Sequence, residues 1–144
     1  ALTDFTNQIQ PQDVLRFLTE AARVSKADPG EWKRLHTPAA MRGALLACSR
    51  AKVDSVTRAI PDVGEVLARL ARLDEDRRSV PFTPEAVGLT FDEVELLTET
   101  GIIAQVKGEY WMPDIYRSSL GHRASRRPPL RPIAKEARRR FPDL

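Results

Sequence analysis

The chain has 144 residues, 42% hydrophobic and 30% charged, with a formal net charge of +3. That length suits one ordinary domain or two small helical layers, and the apolar share permits a real core. No run of about 18 apolar residues occurs in it, which excludes a helical membrane span. The single cysteine, Cys48, excludes a disulfide framework and a thiolate zinc site. The chain opens at Ala1 without Met, so the expectation is an excised piece of a longer protein, and with no charged-then-apolar leader and a lone cysteine the expected home is the cytoplasm.

Residues 12–25 place Val14, Phe17, Leu18, Ala21, Ala22 and Val24 at near-helical spacing behind Pro11, a residue suited to a first helical turn. Asp28-Pro29-Gly30 carries turn chemistry. Thr37-Pro38 opens a second helix as cap and first-turn proline, with Met41, Ala44, Leu45, Cys48, Val53, Val56 and Ile60 as its apolar stripe. The uneven step from Cys48 to Val53 predicts a break near residues 49–52. Ile60-Pro61 marks a boundary, because the residue before proline disfavours helix. A helix capped by Asp62 follows, with Val63, Val66, Leu67, Leu70 and Leu73 on one face.

Residues 74–79 form a charged connector, Val80-Pro81-Phe82 reads as a short edge strand, and Thr83-Pro84-Glu85 starts a brief helix that Gly88 weakens. Thr90 with Glu93 is a capping box for a helix whose core face is Val94, Leu96 and Leu97, and Gly101 is its left-handed stop. Residues 102–106 and 109–112 read as strands around a tight Lys107-Gly108 turn. A last short helix, 114–120, closes at Gly121. Beyond it Pro128, Pro129 and Pro132 interrupt regular structure, although 133–140 is compatible with one or two helical turns. The predicted fold is mainly α: a helical lid-like segment (1–60), a winged helix with a small β-hairpin wing (62–121) and a basic Pro-rich tail (122–144).

Charge is distributed unevenly. From Gly121 onward there are eight basic residues (Arg123, Arg126, Arg127, Arg131, Lys135, Arg138, Arg139, Arg140) against Glu136 and Asp143, a net of +6. The whole chain carries +3, so the rest sums to −3. The helix over 91–99 is the one that normally enters DNA in a winged helix. Here it carries Asp92, Glu93, Glu95 and Glu99 and no Lys or Arg, and a phosphate-lined groove would repel it.

Three stretches together resemble the region that follows the nucleotide-binding core in large bacterial P-loop ATPases of the AAA+/STAND type. They are Gln10-Pro11-Gln12-Asp13-Val14-Leu15-Arg16-Phe17-Leu18, then Leu35-His36-Thr37-Pro38-Ala39-Ala40-Met41-Arg42, then Gly108-Glu109-Tyr110-Trp111-Met112-Pro113-Asp114-Ile115-Tyr116-Arg117 with Leu120-Gly121. The resemblance spans roughly residues 8–121 and implies a helical lid followed by a winged helix, serving ATP-dependent switching with nucleotide held by a domain absent from this chain. One departure stands out: where such lids often carry an arginine after the helix-opening proline, this chain has Gln12, with Arg16 one turn on. It has no GxxxxGK[ST], so it cannot itself cradle a triphosphate.

No catalytic, cofactor or metal site is expected. His36 and His122 lie far apart without ligand spacing, Cys48 sits on an apolar stripe as a buried thiol, and Ser49 and Ser119 have no base partner. At least one of Tyr110 and Trp111 must point into the core, since strand residues alternate. Two functional readings follow. The first is a non-catalytic regulatory module that meets protein (its own ATPase domain or another subunit) through Asp92, Glu95 and Glu99. The second is a DNA-binding module contacting phosphates through Lys107, Arg117, Arg123, Arg126, Arg127 and Arg131, with little sequence reading.

Overall fold

The computed structural model describes residues 11–26 and 37–126. The Asp28-Pro29-Gly30 turn, His36, Arg127, Arg131 and the rest of the tail lie outside the described residues. The architecture is mainly helical with a small β component: α1 (Pro11–Lys26), α2 (Pro38–Ala59), α3 (Pro61–Ala71), β1 (Ser79–Val80), α4 (Pro84–Val87), α5 (Phe91–Glu99), β2 (Ala104–Val106), β3 (Glu109–Trp111), α6 (Asp114–Leu120) and β4 (Arg123–Ala124).

Thr37 caps α2, its hydroxyl accepting the Ala40 amide at 3.1 Å. The helix then runs unbroken to Ala59, against the predicted break near 49–52. The reason is visible in its inner face. Ala40, Ala44, Cys48 and Lys52 recur every four residues and are all buried, so the stripe continues through polar side chains that an apolar count passes over. Met41, by contrast, is outward. On α1 the inward positions are Asp13 and Ala21, with Val14, Phe17 and Val24 half-buried; Leu18 and Ala22 face outward, contrary to their expected place in the stripe.

At the α2–α3 junction Ile60 is extended and its amide still donates to the Val56 carbonyl at 2.8 Å. Pro61 takes the first helical position of α3, and Asp62 lies inside the first turn; it is not the capping residue. Gly64 lets α3 cross α2 closely, because a Cβ there would lie 2.5 Å from Thr57 Cγ2.

The α5 capping box forms as expected: the Thr90 hydroxyl accepts the Glu93 amide and the Glu93 carboxylate accepts the Thr90 amide. Such a cap contributes about 1 kcal/mol. Gly101 turns the chain at φ 70°, and Lys107 (φ 56°) with Gly108 makes the tight turn between β2 and β3, which pair antiparallel with Ala104 opposite Trp111. β1 continues into a bridge in which Phe82 and Tyr110 exchange both backbone hydrogen bonds, 3.1 and 2.8 Å.

The tail does not begin at Gly121. His122 is buried, and β4 pairs parallel with β1, Ser79 opposite Arg123 and Val80 opposite Ala124. Thus the chain returns to the body for at least five residues past the predicted boundary.

The core joins Val63, Val66, Leu67 and Leu70 of α3 to Val94 and Leu97 of α5, Ile102, Ile103 and Trp111 of the hairpin region, and Ile115, Tyr116 and Leu120 of α6. Trp111 and Tyr116 are both 2% exposed, so these aromatics are core residues and not a stacking surface. Each fully buried side chain of this size contributes roughly 1.5–3 kcal/mol. Ser49 ties α2 to α6, its hydroxyl accepting the Ser119 amide at 2.8 Å and donating to the Tyr116 carbonyl at 3.4 Å.

Candidate functional site

Helix α5 buries Val94 and Leu97 against the core and turns Asp92, Glu95 and Glu99 to solvent. Among the described residues none of these three carboxylates has an ion-pair partner. Glu93 is the exception on this helix, held by Arg69 of α3 at 2.6 Å. That guanidinium, followed by the Thr90 amide, lowers the Glu93 carboxyl below its ordinary value and keeps it charged.

Beside α5 lies a groove of about 400 Å³. Its walls are apolar (Pro84, Leu89, Phe91, Val94 and Tyr110), and Glu85, Glu95 and Glu99 add carboxylates. Phe91 is 80% exposed, a large apolar ring left in water at the start of the helix. Phe91, Val94, Glu95 and Thr98 follow the i, i+3, i+4, i+7 spacing of one helical face. That spacing is present in the sequence, where the carboxylates at 92, 93 and 95 obscure Phe91. On the opposite side of α5, Asp62, Glu65, Asp92 and Glu93 outnumber Arg69 in a second, smaller cleft of about 200 Å³. Both flanks of the helix are therefore acidic.

The candidate phosphate-contacting residues are placed differently. Lys107 stands exposed at the hairpin turn. Arg117 is bound to Asp114 on its own helix and donates to the His122 carbonyl. Arg123 pairs with Glu75 at 2.6 Å. Arg126 pairs with Glu109, and its guanidinium lies 5.6 Å from the Trp111 ring centroid. Lys107 thus stands apart from three arginines that already face carboxylates of the body.

Several buried groups away from α5 make polar contacts. Lys52 and Asp13 form an ion pair across α1 and α2 at 3.1 Å. Burial pushes the Cys48 thiol up from its ordinary value, with Arg16 opposing, and its sulfur lies 3.9 Å from the Asp13 carbonyl. His122, expected as a tail residue, has Nε2 3.2 Å from the Leu70 carbonyl. Among the described residues no group of three or more His, Cys, Asp or Glu side chains is arranged to hold a metal ion, and no helix is long and apolar enough to cross a membrane.

No family model, no curated protein and no solved structure matches the chain.

Proposed function

We propose that the chain is a non-catalytic regulatory module whose acidic α5 face and adjoining groove dock a basic protein segment. Residues 61–124 would form its winged helix. In its favour are the order α3–β1–α4–α5–β2–β3 and the Phe82–Tyr110 bridge that joins β1 to the hairpin. The preceding α1–α2 pair fits a lid-like layer, and with it an origin in the C-terminal region of a P-loop ATPase.

The observation that carries the docking reading is the pairing of unpartnered carboxylates with an exposed aromatic ring. Asp92, Glu95 and Glu99 repel a phosphate backbone, while Phe91 beside Glu95 suits a partner that brings both apolar and basic groups. The DNA reading draws on the exposed Lys107 and on the basic residues past Gly121, but Arg117, Arg123 and Arg126 would first have to leave Asp114, Glu75 and Glu109.

A titration against a fluorescent DNA duplex at several salt concentrations tests the reading. The expected result is no binding by the unmodified chain at ~50 mM salt. Binding that falls steeply with salt would favour contact through hairpin and tail.

A further inference from the structure

We propose that the occupant of the α4–α5 groove is helix α1 of a second copy of this chain. The inference rests on the docking reading above and names the basic segment that reading calls for.

Four large apolar side chains among the described residues stand exposed: Leu15, Leu18, Met41 and Phe91. Phe91 lines the groove. Leu15 (68% exposed) and Leu18 (47%) lie on the outer side of α1, and the exposed Ala22 and Lys26 continue that face at i+7 and i+11 from Leu15. α1 packs on α2 and α5 packs on α3, and both apolar surfaces are open in the same copy, so neither covers the other within it. One contact between copies would cover three of the four exposed side chains.

Charge selects the partner and its direction. Arg16, Arg23 and Lys26 of α1 are exposed, whereas Asp13 is turned inward onto Lys52 and Glu20 is half-buried. Arg23 gives Glu20 only its Nε, and Lys26 has no ion-pair partner among the described residues. In the groove Glu85, Glu95 and Glu99 likewise lack ion-pair partners among the described residues, and no cation lines it. Apolar and charged groups are graded alike on both helices. Phe91 and Glu99 are eight positions apart on α5, as are Leu18 and Lys26 on α1, so each pair spans about 12 Å of helix. Laid parallel, α1 brings Leu15 and Leu18 to Phe91 and Leu89, and Arg23 and Lys26 to Glu95 and Glu99. The last turn of α5 carries no basic residue, and cations beside that negative helix end are favoured. A contact about two helical turns long is small, so the association is weak and depends on concentration. The consequence is regulatory: assembly covers the acidic face, and separation of the copies frees it for other basic partners.

The test mixes two variants of the full chain, each keeping one side of the contact. Leu15→Ser/Leu18→Ser keeps the groove, and Phe91→Ser/Glu99→Lys keeps α1; all four positions are exposed, and thermal melts check that both variants fold. In ~50 mM salt the unmodified chain is expected to self-associate below ~1 mM, while each variant alone stays a single copy. Adding unenriched Phe91→Ser/Glu99→Lys to isotope-enriched Leu15→Ser/Leu18→Ser should shift the Phe91, Glu95, Thr98 and Glu99 amide signals selectively. Charge exchange supplies a second readout at positions that touch no core residue. Lys26→Glu and Glu99→Lys should each weaken self-association roughly fivefold, and their mixture should regain it. An unmodified chain that stays a single copy at ~1 mM, shifts confined to other surfaces, or a mixture no better than its parts overturns the proposal. If any of these occurs while the unmodified chain still rejects duplex, the acidic docking face stands and its partner is a different protein. Steeply salt-dependent duplex binding by the unmodified chain removes the docking face itself.

Discussion

Lys52 Nζ donates to Asp13 Oδ2 at 3.1 Å across the α1–α2 interface, with the two side chains only 9% and 6% exposed. Two charges taken out of water offset their desolvation only while both are present. Lys52→Met strands a buried carboxylate, and the expected loss in urea unfolding is about 3 kcal/mol, at the low end of the usual range. The moderating group is Arg16, 4.0 Å from the other Asp13 oxygen. The double variant Asp13→Leu/Lys52→Met should regain most of the loss. A double variant no better than Lys52→Met would show that the pair matters for more than charge balance.

Gly64→Ala should destabilise by about 1–3 kcal/mol through overpacking. The new Cβ would meet Thr57 Cγ2 at 2.5 Å and Thr57 Cα at 3.2 Å, so rotating the side chain away relieves only part of the crowding. Thermal melts of Gly64→Ala alone and with Thr57→Gly check this; the second change should recover a part. A neutral Gly64→Ala would mean that α3 shifts freely on α2.

His122 makes stability depend on pH. Burial, together with the charges of Arg78 and Arg117, holds its imidazole below the ordinary value, partly opposed by the Leu70 carbonyl. The unfolded chain therefore binds this proton first as pH falls. The full contribution is present above the unfolded value of about 6.5, and stability declines as pH drops from there through the folded value. Glu93 adds a second decline below about pH 4.5, because Arg69 lowers its folded value. Urea midpoints from pH 8 to 3 should fall in these two windows. His122→Asn should flatten the upper one and leave the lower, whereas an unchanged upper window would assign it to another group.

The features readable in the sequence are those set by neighbouring residues. Thr37-Pro38, the Thr90–Glu93 box, the turn at Lys107-Gly108 and the stop at Gly121 each bring their own hydrogen bonds or backbone freedom within four residues. The order of elements from α3 to α6 followed from them. What stayed hidden depends on distant partners. Lys52 and Asp13 are 39 positions apart and Ser49 and Ser119 are 70 apart, so nothing local marks those polar residues as inward. The return of β4 was masked by the arginines around it, since exposed side chains on a paired backbone look the same in sequence as those of a free tail. Of the candidate face, the carboxylates were legible and the groove was not, because Leu89 and Tyr110 reach it from other elements.

In the docking reading the α5 face repels DNA and attracts a basic protein segment. Glu95→Lys/Glu99→Lys tests it most directly, by duplex titration at several salt concentrations beside a thermal melt. These exposed carboxylates contribute little to folding, on the order of 0–1 kcal/mol, so the melting temperature should hardly move. The expected result is no duplex binding by the unmodified chain at ~50 mM salt and binding by the variant that weakens steeply as salt rises. Equal duplex binding by both proteins, or a large drop in melting temperature in the variant, would contradict it.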